Sequence, residues 1–313
     1  MRSRAVALTA ALAALYLLWG SNYLTIKVAV QTLPPFTLLT LRWSLAGLLL
    51  FAFTVRRGDR AADPLGPRQW LATAVLGMLL IGTGNGSLFF AEQYLSSGLT
   101  ALLAGTMPIW AAIIAAILYR RPIAPLTVAG FALGIAGLAV LLDPRGSPNT
   151  NPLAVGVALG GAITWALGSV VSVRLPVPKR ALVSASMQML WVSLIFSIVA
   201  AITGEWAPTF ATLTHPLPQR FIVAFIWLIV GPGLVAYAAY LWLLRNASLT
   251  LANTYAFVNP AIAVLLGTVV LGEALTAHVI AGTLIIVVAV TVIVLKPSGP
   301  RRVPLPESPN RLH

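Results

Sequence analysis

No cysteine occurs among the 313 residues, so disulfides, thiolate metal sites and cysteine nucleophiles are excluded. Histidine is nearly as scarce. His215, His278 and His313 fall in a loop, at the start of an apolar run and in the tail, so neither a zinc site nor a nucleophile–histidine triad is expected. Clustered carboxylates or histidines, which an integral-membrane enzyme would need at a membrane face, are missing too. No enzyme activity and no cofactor are therefore expected. No Walker A, Rossmann or kinase pattern is present, so driving the protein with ATP would require another subunit. Charge is sparse: 9% of residues are charged and only 7 are acidic, where soluble chains carry about a quarter charged residues.

Apolar residues fill the space that charge leaves. The chain is 59% hydrophobic, with mean hydropathy +0.92. Continuous apolar runs of about 20 residues recur along it, the length that crosses a hydrocarbon core. A β-barrel would show short alternating segments instead. These runs predict an all-α integral membrane protein with spans near 5–30, 35–55, 69–95, 98–119, 126–142, 153–173, 182–203, 220–245, 249–271 and 277–296. The first run continues through Trp19 and Tyr23 without a small-x-small cleavage site, so it is expected to be retained as a span.

The net charge of +13 does not point to nucleic acid, because the basic residues gather in short loops. Sixteen of the 20 Lys and Arg fall on one side of this layout, only Arg145 and Arg220 on the other, and Lys27 and Arg42 within spans. That asymmetry places both termini in the cytoplasm. The longest loop on the opposite side, Gly204–Gln219, has no Lys or Arg.

One theme is stated twice. Thr106-Met-Pro-Ile-Trp110 leads to Ala129-Gly130, and Val258-Asn-Pro-Ala-Ile262 leads to Ala281-Gly282, with each glycine at the same distance from its proline. Trp19 with Gly20-Ser21 and Trp165 with Gly168-Ser169 are matched likewise. A unit of five spans is odd, so its second copy inserts upside down, with solute held between the copies near mid-bilayer. The expected organisation is a first five-helix repeat over 1–147, a second, inverted repeat over 148–296, and a disordered cytoplasmic tail over 297–313. The Asn- and Pro-rich loop Asp143–Pro152 is the boundary.

Trp19-Gly20-Ser21-Asn22, Pro34-Pro35 and Arg42 resemble the opening of the drug/metabolite transporter superfamily, in particular its EamA-type ten-span members. Asn259-Pro260, Leu271-Gly272-Glu273 and Gly282 are similar to that family's second-repeat signature. Arg121 stands where the first repeat would carry the counterpart of Glu273, so Glu273 reads as a span-end structural residue. Within the family, the tryptophan-rich interior is similar to bacterial amino-acid exporters of the YddG type, which implies export of aromatic and other neutral amino acids.

Tryptophan normally gathers at membrane interfaces, yet Trp19, Trp110, Trp165 and Trp191 fall near the middle of their spans, as an aromatic-lined cavity would need. Asn22, Asn85, Gln188, Tyr255 and Asn259 supply polar groups for the same cavity, and Pro260 frees the carbonyl of Ala256. Asn85 lies in Gly82-Thr-Gly-Asn-Gly86, where helices can approach closely or break, and Gly231-Pro232-Gly233 is the expected hinge. Lys27, Arg42 and Glu92, all in the outer half, are expected gate residues or charge partners; Arg42 suits a substrate carboxylate and Glu92 a coupling proton or an ion pair. The expected function is export of small metabolites, amino acids first, by alternating access across a bacterial inner membrane, with solute and lipid as partners. Efflux of drug-like cations or nucleobases, and passive facilitation, use the same machinery and stay open.

Overall fold

The computed structural model describes residues 2–56, 65–95, 97–120, 123, 125–142, 151–271 and 277–295. Within them every regular element is helical. Arg121, the Leu271-Gly272-Glu273 glutamate, most of the 143–152 loop and the tail lie outside the described residues.

The first long rod is α1 (Arg2–Gly20) and α2 (Asn22–Val30), interrupted at Ser21, whose hydroxyl donates back to the Leu18 carbonyl at 2.9 Å. Helix α3 (Pro35–Arg56) follows. Then α4 (Pro67–Gly77) runs through a π-helical segment, Met78–Asn85, into α5 (Gly86–Tyr94). The next run is broken into α6 (Ser97–Ala104) and α7 (Met107–Tyr119), and α8 (Pro125–Leu142) closes this half.

The second half repeats the pattern. Asn151 caps α9 (Pro152–Val171) by accepting from the main chain of Leu153 and Ala154, and Pro152 takes the first helical position, where its missing N–H costs nothing. Helix α10 (Ala181–Ile202) ends at Gly204, which has φ 73°, a value that favours glycine. Helix α12 (Gln219–Leu228) passes through a second π-helical segment, Ile229–Ala236, into α13 (Tyr237–Asn246). The next run is again broken, into α14 (Leu249–Ala252) and α15 (Tyr255–Leu271), before α16 (Ala277–Leu295).

Among the described residues, six helical runs are long and apolar enough to cross a membrane: Arg4–Val30, Pro35–Thr54, Pro67–Tyr94, Pro152–Val171, Ala181–Ile202 and Gln219–Asn246. The 204–219 stretch, read from sequence as a plain loop, instead contains helix α11 (Trp206–Leu213). This helix is fastened by Trp206 Nε1, which donates to the Ser197 carbonyl at 3.1 Å, and by a 2.8 Å contact between the Thr209 and Thr37 hydroxyls.

Packing crosses between the halves. Helix α3 lies against α10, and α8 against α16. Helix α1 packs on α15, α13 and the Ile229–Ala236 segment; α9 packs on α7, α5 and the Met78–Asn85 segment. The α9 crossing needs glycine, since a Cβ on Gly161 would sit 2.5 Å from Ser87 Cβ and one on Gly84 would meet the Trp165 ring at 2.7 Å.

Candidate functional site

Residues of α1, α2, α3, α5, α6, α7, α9, α13, α15 and the two π-helical segments converge to line a cavity that is partly open to solvent.

One wall is aromatic. Trp19 and Trp165 meet edge to face with ring centroids 5.4 Å apart, Tyr255 lies 4.6 Å from Trp19, and Tyr240 backs all three rings at 5.2–5.6 Å. Hydrogen bonds fix these rings. Trp19 Nε1 donates to the Pro232 carbonyl at 3.1 Å and Trp165 Nε1 to the Tyr240 hydroxyl at 3.0 Å, while Tyr240 donates to Asn253 Oδ1 at 3.1 Å.

The lining also carries Arg42 and Trp43 from α3. Arg42 is 1% exposed and is the one charged residue among the described residues that line the cavity. Its guanidinium stacks 4.3 Å from the Trp43 ring centroid and 5.5 Å from that of Phe89. Its Nε donates to the Leu228 carbonyl at 3.1 Å. Leu228 stands four residues before Pro232, which has no N–H to complete an α-helical bond to that carbonyl. Arg42 Nη1 and Trp43 Nε1 are buried donors with no partner, and Asn22 Oδ1 and Asn85 Oδ1 are buried acceptors with none. The wall thus offers donors from α3 and acceptors from α2 and the Met78–Asn85 segment, each with bonding capacity unspent.

Against known proteins, the model of the EamA-like transporter family matches residues 5–143 and 152–295. The chain belongs to the EamA-like transporter family. It is 35% identical over 267 residues, covering 85% of this chain and 83% of the relative, to the "Uncharacterized inner membrane transporter YedA" of Escherichia coli. It is 25% identical over 282 residues, 90% of each chain, to the "Uncharacterized transporter YvbV" of Bacillus subtilis. A solved crystal structure superimposes with TM-score 0.70 at 21% identity, covering 92% of this chain and 96% of that one, and shares the fold.

In this EamA-like transporter, Trp19, Asn22, Arg42, Asn85, Trp165, Tyr255 and Asn259 all line the one cavity. With its amide turned so that the nitrogen faces acceptors, Asn259 donates to the carbonyls of Tyr16 and Tyr255, at 3.3 and 3.1 Å. Three residues expected on the wall are absent from it. Trp191 turns toward Trp70, with centroids 6.2 Å apart. Trp110 donates to Thr106 Oγ1 at 3.2 Å, within its own helical turn. Gln188 stands one layer back, accepting from the cavity-lining Tyr237 at 2.5 Å and donating to Ser184 at 2.9 Å. Lys27 and Glu92 are also off the wall. The Lys27 ammonium donates to the main-chain carbonyls of Glu92 and Leu95, at 2.9 and 3.4 Å, and so caps the end of α5.

Sequence reasoning missed Trp43, Met107 and Tyr237 on the wall. Trp43 adjoins Arg42, and Tyr237 lies one helical turn beyond Gly233; both positions carried a usable signal. Among the described residues no three His, Asp or Glu gather where a metal could bind.

Outside the cavity, Glu205 seals the N-terminal end of α3. Its carboxylate accepts from the main chain of Phe36 at 2.8 Å and Thr37 at 3.0 Å, at the positive end of that helix. Burial holds this carboxyl above its usual range, and the two main-chain donors offset that only in part.

Proposed function

We propose that this protein is a ten-span secondary carrier of the inner membrane, built as two inverted five-helix repeats with both termini in the cytoplasm. It exports small metabolites by alternating access, with amino acids, aromatic ones included, as the leading class, in the manner of YddG-type exporters. The observation that carries this reading is the buried, unpartnered Nη1 of Arg42 in a cavity that also holds the ring cluster of Trp19, Trp165 and Tyr255. A buried cation without a counter-ion is costly, and a substrate carboxylate offsets that cost through charge-assisted hydrogen bonds. The open carbonyl oxygens of Asn22 and Asn85 suit the ammonium of the same solute, and the ring cluster suits a planar or apolar side chain.

Three features support the inverted repeat. The π-helical segments fall in the third run of each half, and the broken helices in the fourth. The packing maps onto itself when each run is exchanged for the one five places on: α3 with α10, α8 with α16, and the first run on the eighth and ninth as the sixth is on the third and fourth.

The aromatic wall and the amide oxygens also favour a second reading, efflux of an organic cation. Arg42 opposes it by charge. A counterflow screen in liposomes, setting amino acids against polyamines and nucleobases, separates the two. Exchange of aromatic amino acids is the expected result, and exclusive exchange of another solute would overturn the leading assignment.

A further inference from the structure

Glu92 is fully buried, and neither of its carboxyl oxygens has a hydrogen-bond partner. The charged and titratable groups around it are few. Helix α2 contributes Lys27 and Tyr23, both within electrostatic reach, and α3 contributes Arg42, which stacks near Phe89, one turn before Glu92. Its own helix adds Tyr94. Helices α6 and α9 and the Met78–Asn85 segment, also packed against α5, contain no charged or titratable residue. The nearest ammonium, that of Lys27, is spent on main-chain carbonyls.

Such a carboxyl is sustainable in a membrane interior only if a proton neutralises it, because an ionised, unbonded carboxylate there costs far more than local packing returns. Its position is equally telling. Glu92 follows the cavity-lining Leu88 by one turn of α5, and Tyr23, also on the cavity wall, lies within electrostatic reach of it.

We propose that Glu92 is the proton-binding site of a solute–proton exchange. One proton enters from outside onto its carboxyl after the solute leaves, rides through the return step, and is released to the cytoplasm before the next solute binds. The solute ammonium at Asn22 and Asn85 takes over the charge balance when Glu92 is ionised. This last point rests on the amino-acid reading of the cavity; the proton site itself does not.

The test uses the full chain purified into liposomes. Infrared difference spectra across a pH titration should show a protonated-carboxyl band in the wild type that is lost in E92Q. In the same vesicles an acid-outside gradient should drive efflux of labelled tryptophan, and E92Q should lose that response measured as the ratio of gradient-driven to exchange flux. E92D should restore part of it, and serves as the comparison if E92Q is not recovered. A wild type whose tryptophan flux ignores the gradient, or an E92Q that keeps the carboxyl band, overturns the proposal. Should tryptophan fail to exchange in the wild type at all, the amino-acid reading falls, and the carboxyl band alone decides the proton site.

Discussion

At the scale of single residues, Arg42 concentrates the chemistry. Its Nε is anchored on Leu228, its plane is held between Trp43 and Phe89, and its Nη1 is left free. Because the fork geometry matters as well as the charge, R42K should behave much like R42A. Hydrogen bonds to charged groups contribute about 1.5–3 kcal/mol, so both variants should weaken amino-acid counterflow about 10- to 100-fold in apparent affinity. Amino-acid amides, lacking the carboxylate, should be affected little; an equal loss for acid and amide would assign Arg42 to packing. Glu205 allows a pH prediction. Its carboxyl lies above the usual range when folded, chiefly through burial, so the folded chain binds that proton more tightly than the unfolded one. Its contribution to stability is therefore fully present below the ordinary glutamate range and lost as pH rises through the folded value. Thermal unfolding followed from mildly acidic to neutral pH should show this slope in the wild type, and E205Q should flatten it. A slope that survives in E205Q would place its source elsewhere.

At the scale of elements, the two π-helical segments are where sequence dictates function most directly. Pro232 withholds an N–H from the Leu228 carbonyl, Arg42 takes that acceptor, and Trp19 takes the Pro232 carbonyl. Restoring the N–H in P232A should let an α-helical bond form and displace the arginine. Interior proline costs a helix about 3 kcal/mol, so P232A should gain stability up to that limit while transport slows and apparent affinity falls. Unchanged transport in P232A would show that the Arg42 anchor does not need the proline. How much of this was legible in the sequence follows from what each signal encodes. Span existence depends on apolar run length, a one-dimensional property, and the described helices fall within a few residues of the runs read. Helix α11 escaped because Trp206-Ala-Pro-Thr is too short a run to register and is held by tertiary contacts. Position along the helix was legible for Trp110 and Trp191, but azimuth was not. Each residue turns a helix by about 100°, and only a second polar neighbour at 3–4 spacing, as Asn22 gives Trp19, indicates which face meets the cavity. Glycine clusters marked both π-helical segments as irregular, whereas their hydrogen-bond register was set by packing against α9 and α1.

At the scale of the whole molecule, the reciprocal packing of the halves and the distribution of basic residues make one joint demand on topology. The proposed inverted repeat requires equivalent connections to face opposite sides of the membrane. The turn after the first run contains the exposed Gln31, and its counterpart after the sixth contains the exposed Val173. A parallel duplication would put both on one side; an inverted one separates them. Since the chain has no cysteine, single substitutions can be read without background. Q31C should react with a membrane-impermeant maleimide in intact cells or spheroplasts, as should T214C in the stretch after α11, whereas V173C should react only after lysis. Orientation is predicted from the basic residues beside Val173, Arg174 and Lys179–Arg180, which by charge assign that connection to the cytoplasmic side. If Q31C and V173C label together, the two-fold relation fails, and with it the symmetry of the cavity walls; the local chemistry of Arg42 and Glu92 would remain. If they separate but in reverse, the repeat stands and the charge rule fails, and Glu92 would then lie toward the cytoplasmic end and meet the proton from that side first. Labelling thus tests the direction of proton entry independently of any solute.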